Sequence, residues 1–446
     1  MPQGLLRATL TLLAGGAVAQ ALPLLLGPWL TRLYAPEIWG QYALCMAVVA
    51  NLSAVFCARY EFALPLAKDA ERAADLMALC AWLALAMVAV TALFALLLAC
   101  GWGVLWAIWL PLAVAASGAA QWMGMWAARA QRFKVLSGAR VIQYGLASLL
   151  QLSLGLWLIT SLSFSGMSQA ISLDPGSANS ALDPVAALHA LIGATVISAS
   201  LAALFLAWGA APAREGVAHA RPSWWALLST SMPRLRTVAR EYKQFPLLNS
   251  PHAFAGALQD TAAVALLVVF TGDAAAGFWG LALRYLKAPA TLVGSAVSQA
   301  LYPKLVGVSA ATARQAVRQV TIVLSLIATP LVLVLWGAGP ALFAWIFGET
   351  WRPAGELARA LALYIGVHFV ASPLSIVPLA WGAQAWSLKL ALVGQGLFLT
   401  ALTLGLWQGG LLGGAWAVSV VMTVYFLWFF IRLPAQCPAD ASEVRS

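Results

Sequence analysis

Two cations stand inside one apolar run of this chain. Arg284 and Lys287 lie within Gly277–Lys304, GFWGLALRYLKAPATLVGSAVSQALYPK, a stretch long enough to cross a bilayer. A charge at hydrocarbon depth is costly, so it faces a partner or a water-filled cavity instead of lipid. Their i, i+3 spacing puts both on one helix face, and Thr291, Ser295 and Ser298 continue that stripe. The opposite face is Leu, Ala and Val. A cationic stripe of this kind suits the wall of an aqueous path for an anion. It suits equally an ion pair bracing neighbouring helices.

Asp260 is the only carboxylate deep inside a span. Counted from Thr271, where its helix would leave the membrane, it lies roughly 16 Å deep. Lys287, counted from Gly277 on the next, antiparallel helix, lies at roughly 15 Å. Matching depth allows Asp260 to pair with Lys287 or Arg284. As a structural pair it locks two helices together. As a working group it binds and releases H+ or Na+ and so changes the charge that a cavity shows to substrate. Arg59, in Arg59-Tyr60-Glu61, is a further cation at an inner helix boundary, where arginine is also an ordinary topology signal. Arg129, Arg132, Lys134 and Arg140 cluster between two spans and read as headgroup contacts.

No other residue pattern carries chemistry. The five cysteines form no CxxC pair and the four histidines are scattered without ligand spacing, so neither a metal nor another cofactor is expected. There is no Asp-x-Asp in an inner loop, no P-loop and no convergent Ser/His/Asp set, which argues against an enzyme.

The elements that position these charges follow from composition. Apolar residues make up 62% of 446 and charged residues 9%, with mean hydropathy +0.86. Soluble domains run near a quarter charged, so this is an integral membrane protein with little mass outside the bilayer. Spans are expected near 8–30, 38–58, 76–99, 104–126, 138–160 and 186–209, then 246–271, 277–299, 317–339, 357–381, 388–407 and 412–432. The N-terminal apolar run continues past Ala17-Val18-Ala19 through Leu22–Leu30, too long for a signal-peptide core, and reads as the first span.

Lys and Arg set the orientation. With the N-terminus in the cytoplasm, only Arg32, Arg352 and Arg359 of the 25 basic residues lie outside, while Arg284 and Lys287 lie within the membrane. Both termini are therefore expected inside. The same asymmetry accounts for the net charge of +10, and no basic–aromatic interleaving points to nucleic acid. The expected organisation is an N-lobe over 1–210, a cytoplasmic linker over 211–245, a C-lobe over 246–434 and a tail over 435–446. Ser161–Pro184 reads as an outer loop, and Trp224, Trp225, Leu227 and Leu228 as a candidate interfacial helix in the linker.

The two halves repeat. Tyr34-Ala35-Pro36-Glu37 then Gly40-Gln41-Tyr42 is matched by Phe270-Thr271-Gly272-Asp273 then Gly277-Phe278-Trp279, each followed by a downstream proline (Pro65, Pro303) and lysine. The fold expected is all-α, with about twelve transmembrane helices in two pseudo-repeated six-helix lobes. Parallel repeats of this kind place a transporter's substrate between lobes.

Several blocks in order carry a resemblance. They are Leu33-Tyr34-Ala35-Pro36-Glu37, Arg59-Tyr60-Glu61-Phe62-Ala63-Leu64-Pro65, and Glu241-Tyr242-Lys243-Gln244-Phe245-Pro246. Next come Leu283-Arg284-Tyr285-Leu286-Lys287-Ala288-Pro289, Phe347-Gly348-Glu349, and Ser372-Pro373-Leu374-Ser375. With these the chain resembles the oligosaccharide flippase family, the polysaccharide-transporter branch of the multidrug/oligosaccharidyl-lipid/polysaccharide exporter superfamily. In Leu64-Pro65-Leu66-Ala67-Lys68 it departs from the family, which brings proline and lysine together. The resemblance implies a bacterial inner-membrane flippase with two six-helix lobes around a cavity that opens alternately to either side. It would move a polyprenyl-diphosphate-linked glycan to the outer leaflet for surface polysaccharide such as O-antigen or capsule, with Arg59 and Arg284 on the family's motif arginines. A multidrug or organic-cation antiporter on the same fold is the alternative; that chemistry calls for a carboxylate-rich cavity, whereas here two cations stand to one acid.

Overall fold

In the computed structural model each of the twelve expected spans lies largely in helix, and no strand occurs among the described residues. The structure describes residues 3–164, 182–209, 227, 229–302, 305 and 309–437. Most of the expected outer loop (165–181), most of the candidate interfacial helix (Trp224, Trp225 and Leu228) and the tail from 438 lie outside the described residues.

The helices are α1 (Gln3–Leu33), α2 (Pro36–Ala54), α3 (Ala70–Trp102), α4 (Leu110–Arg129), α5 (Phe133–Arg140), α6 (Ala147–Phe164) and α7 (Pro184–Gly209). A π-turn over Val141–Leu146 joins α5 to α6. There follow α8 (Met232–Glu241), α9 (Ser250–Thr271), α10 (Asp273–Leu301), α11 (Ala310–Phe347), α12 (Arg352–Ala360), α13 (Ala362–Leu374), α14 (Val377–Ala380) and α15 (Gln384–Arg432). Among the described residues eight helical runs are long and apolar enough to cross a membrane, and one of them, Gln384–Gln436, holds two expected spans. The helices α1, α2 and α10 are not among the eight.

Local signals set the ends. Pro36 opens α2, where its missing N–H costs nothing. The Asp69 carboxylate accepts from the Arg72 amide at 2.7 Å to cap α3, and Gly103 closes that helix at φ 66°. Gly272 at φ 88° provides the turn into α10. Gly409 and Gly410 leave helical geometry and fold α15 into two arms, where the sequence places a break between spans.

The chain divides into two compact units, one of Met1–Tyr34 with Gln41–Thr261, the other of Ala35–Gly40 with Ala262–Ser446. In the first, α4 packs along α7, α3 on α4, and α1 on α5 and α6. Gln151 is the buried polar centre of this unit. Its side-chain amide donates to the Tyr42 hydroxyl, the Thr195 hydroxyl and the Leu191 carbonyl, while its backbone carbonyl accepts from the Tyr34 hydroxyl at 2.7 Å. A network so well satisfied is tolerated in an apolar interior and fixes helix register. In the second unit α11 packs on α12 and α13, α10 on α13, and α13 on α15. Trp351 is fully buried there, edge-on to Trp39 and Phe278.

Candidate functional site

The α10 helix buries one side and leaves the other open. Trp279, Ala282, Leu286 and Ala290 pack inside the second unit, while Arg284, Thr291 and Ser295 are exposed and Lys287 is half-buried. The 3.6-residue period thus separates the apolar side from the polar stripe as the sequence implies. Thr291 and Ser295 return their hydroxyls to the helix carbonyls of Ala288 and Leu292. Ser298 donates instead to the Pro373 carbonyl at 2.9 Å, tying α10 to α13.

Within the same unit, at the stretch of α13 that Ser298 reaches, lies a hollow of about 320 Å³. Its walls include His368, Ser372 and Ser375 from the α13 region, Ser387 from the first arm of α15, and Tyr425 and Phe426 from the second. His368 rests edge-on against Tyr364 and Phe426, and its Nδ1 is buried with no hydrogen-bond partner among the described residues. The unit holds both a cationic helix face and a pocket of hydroxyls, an imidazole and aromatic rings. Phosphate oxygens suit the first and sugar hydroxyls the second.

The sequence alone leaves His368 as one of four scattered histidines. The signal that could find it is its place four residues before Ser372-Pro373-Leu374-Ser375, one turn of the same helix.

Arg59 and Asp260 belong to the first unit, Arg284 and Lys287 to the second. Asp260 is exposed on α9, which is tied to α2 by Thr261 donating to the Ala47 carbonyl at 3.0 Å. Arg59 sits in the tight turn between α2 and α3. Ala58 and Arg59 both adopt left-handed backbone, at φ 47° and 64°, a conformation that costs a non-glycine residue energy and marks over-determined turns. The Arg59 guanidinium lies 4.7 Å from the centre of the Phe62 ring, and its Nε is buried with no partner among the described residues.

Two residues later Glu61 is almost wholly buried. One carboxylate oxygen accepts from the Gln121 amide at 2.8 Å; the other has no partner among the described residues. Burial pushes its carboxyl above the usual range, against its own backbone amide, Gln121 and the Arg59 charge.

Arg129 also has partners within the protein. It donates to the carbonyls of Leu64 (2.9 Å), Ala67 (2.7 Å) and Asp69 (3.2 Å), closing the end of the turn that carries Arg59 and Glu61. From the linker, α8 is held on α3 by Arg234, which pairs with Glu71 at 2.6 Å and with buried Asp75 at 3.0 Å, and by Arg72 with Glu241. The Tyr60 hydroxyl adds a bond to the Ala239 carbonyl. The inner loop before α3 and the linker, both basic and both expected inside, therefore meet at one end of the first unit.

Residues 222–356 match the family model described as "Polysaccharide biosynthesis protein", a span that contains Arg284 and Lys287. No curated protein matches the chain. Among solved structures it is similar to the lipid II flippase MurJ in an inward closed conformation. There the TM-score is 0.63 at 11% identity, over 94% of this chain and 89% of that one. It is also similar to an inward-facing multidrug resistance MATE family transporter of the MOP superfamily, with TM-score 0.62 at 15% identity over 95% of each. A mutant MATE protein aligns at TM-score 0.55 and 15% identity over 96% of each. The multi-pass helical fold shared by these MOP-superfamily proteins is the fold of this chain.

Proposed function

We propose that this protein is a MOP-type transporter, not an enzyme, that moves a polyprenyl-diphosphate-linked oligosaccharide from the cytoplasmic to the outer leaflet of the bacterial inner membrane by alternating access. The observation that carries the reading is the α10 stripe. Arg284 is exposed and Lys287 half-buried on that stripe, and the same unit holds a hollow lined by His368 and three serines. A diphosphate crossing hydrocarbon needs cationic walls, since desolvating its charge unpaired costs far more than any neutral contact returns. The attached glycan needs hydroxyl partners and aromatic surfaces, while the polyprenyl tail remains in lipid. The match of residues 222–356 to a polysaccharide-biosynthesis family and the likeness to a lipid II flippase support the same class of cargo.

In this reading Arg284 and Lys287 hold the diphosphate and Arg59 contributes a cation from the first unit. Asp260 balances their charge, so that the anion is attracted without being trapped, and takes up H+ or Na+ as the coupling ion. The likeness to multidrug transporters supports a second reading, export of organic cations. The charge of α10 opposes it.

Deletion of the gene should cause a lipid-linked glycan to accumulate at the inner leaflet, and Arg284→Ala should fail to restore surface polysaccharide while the protein remains folded in the membrane. Undiminished export by Arg284→Ala would remove this site from the mechanism. Drug sensitivity without glycan accumulation in the deletion strain would favour the second reading.

A further inference from the structure

The two arms of α15 do not close on each other along their whole length. They are pinned by the Tyr425 hydroxyl, which donates to the Leu390 carbonyl at 2.9 Å, and by Trp386 stacked on Phe429. Next to these pins a crevice of about 530 Å³ runs between the arms. Trp386, Val393 and Leu397 line it from one arm, and Val420, Val424 and Trp428 from the other. The spacings on each arm are those of a single helix face. Valine is short where its neighbours are Leu, Phe and Trp, so two arms bridged by valines leave a gap that bulkier side chains would fill.

We propose that this crevice holds one acyl chain of an anionic phospholipid, with its phosphate on Lys389 and Arg432. Three observations carry the assignment. From Trp386 to Leu397 the crevice runs about 16 Å, close to the depth of one leaflet of a hydrocarbon core roughly 30 Å thick. Lys389 lines the crevice and is exposed, while the Arg432 guanidinium sits 5.8 Å from the ring of Trp428, another lining residue, so both cations mark the same mouth. Finally, no Asp or Glu occurs anywhere between Glu356 and Asp440, so the hairpin carries two basic side chains and no carboxylate of its own to neutralise them. A lysine whose stem lies along an apolar wall and whose head meets the interface is placed to receive a lipid phosphate.

The occupant is a resident phospholipid of the leaflet at the ends of α15. A polyprenyl carrier chain, far longer than one leaflet is deep, would overrun the crevice. The site is independent of the transport reading above.

The test is native mass spectrometry of the full-length protein in mild detergent, with added dioleoylphosphatidylglycerol, dioleoylphosphatidylcholine or polyprenyl phosphate. The phosphatidylglycerol should be retained in preference to the phosphatidylcholine. Lys389→Gln should reduce its retention about fivefold, the effect of one basic residue at an anionic lipid surface. Val424→Trp, which fills the crevice, should abolish retention. Arg318→Gln, the same charge change at an exposed position on α11, should leave it unchanged. Equal retention of the two phospholipids, wild-type retention by Lys389→Gln, or retention of polyprenyl phosphate in place of phosphatidylglycerol would each overturn the assignment.

Discussion

Gly40 and Gly277 face each other's helices within the second unit. A side-chain carbon on Gly277 would collide with the Pro36 carbonyl oxygen, and one on Gly40 with the Asp273 carbonyl oxygen. Pro36 precedes Gly40 by four residues and Asp273 precedes Gly277 by four, so the contact is the same in both directions. The internal repeat is therefore a physical object: the two copies of its N-terminal block cross backbone to backbone, and each supplies the glycine that lets the other approach. Gly277→Ala and Gly40→Ala should each destabilise the protein by about 1–3 kcal/mol, since the obstructing atoms are backbone and cannot swing aside. Gly337→Ala, where nothing lies within 4 Å, should be neutral or stabilising by roughly 0.5–1 kcal/mol from helix propensity alone. Thermal unfolding in one detergent orders the three. Equal shifts would mean that the crossing yields more readily than close packing implies.

Arg129 offers a second test. Its three carbonyl partners lie at the end of the turn containing Arg59 and Glu61, where the chain leaves one short helix for the next. Ala67 in particular lies between helices, where a carbonyl depends on a donor from elsewhere. Arg129→Ala should cost roughly 2 kcal/mol or more. Arg129→Lys should recover little of that loss, because a point charge cannot reproduce the fork of a guanidinium. Limited proteolysis should cut both variants first within residues 57–69. Rescue by lysine would reduce the interaction to simple charge.

What the sequence made legible and what it hid divide along a physical line. Span positions, the reversal at Gly409–Gly410 and the polar side of α10 all depend on local periodicity, and each is where the pattern put it. The Gly40–Gly277 crossing is half-legible: the repeat shows that the glycines recur, not what each one meets. Hidden were features set by residues far apart in the chain: His368 and Ser387 lining one hollow, Gln121 reaching Glu61, Arg129 bonded to carbonyls, and Arg234 reaching Asp75. Periodicity tells which side of a helix is polar. It does not tell which other polar side will be opposite.

The clasp between α8 and α3 should behave as a coupled pair. Asp75 is buried, and Arg234 is its charge partner, although the arginine is itself about half exposed. Screening at the exposed end reduces what the pair contributes, so Arg234→Ala should cost about 1–2 kcal/mol, most of it the unpaired Asp75. Asp75→Asn alone should cost less, and the double variant little more than Asp75→Asn. A double-mutant cycle by thermal unfolding measures the coupling. Strict additivity would show that the contact carries no energy of its own.

Glu61 predicts a dependence on pH. Burial disfavours its carboxylate, so the folded chain holds this proton more tightly than the unfolded chain does. The sign follows from linkage: its contribution to stability is fully present below the unfolded value of about 4.3 and is lost as pH rises through the higher folded value. Glu61→Gln mimics the protonated form at every pH. The melting temperature of Glu61→Gln relative to wild type should therefore increase between mildly acidic and mildly alkaline buffer. Gln121→Leu removes a hydrogen bond that favours the charged form, so in that background the wild-type transition should move to higher pH. If transport draws on this turn, Glu61→Gln should also flatten the pH profile of glycan export while Arg129→Lys lowers export without changing its shape. Parallel melting curves for wild type and Glu61→Gln across the range would show that the carboxyl titrates as it does in water.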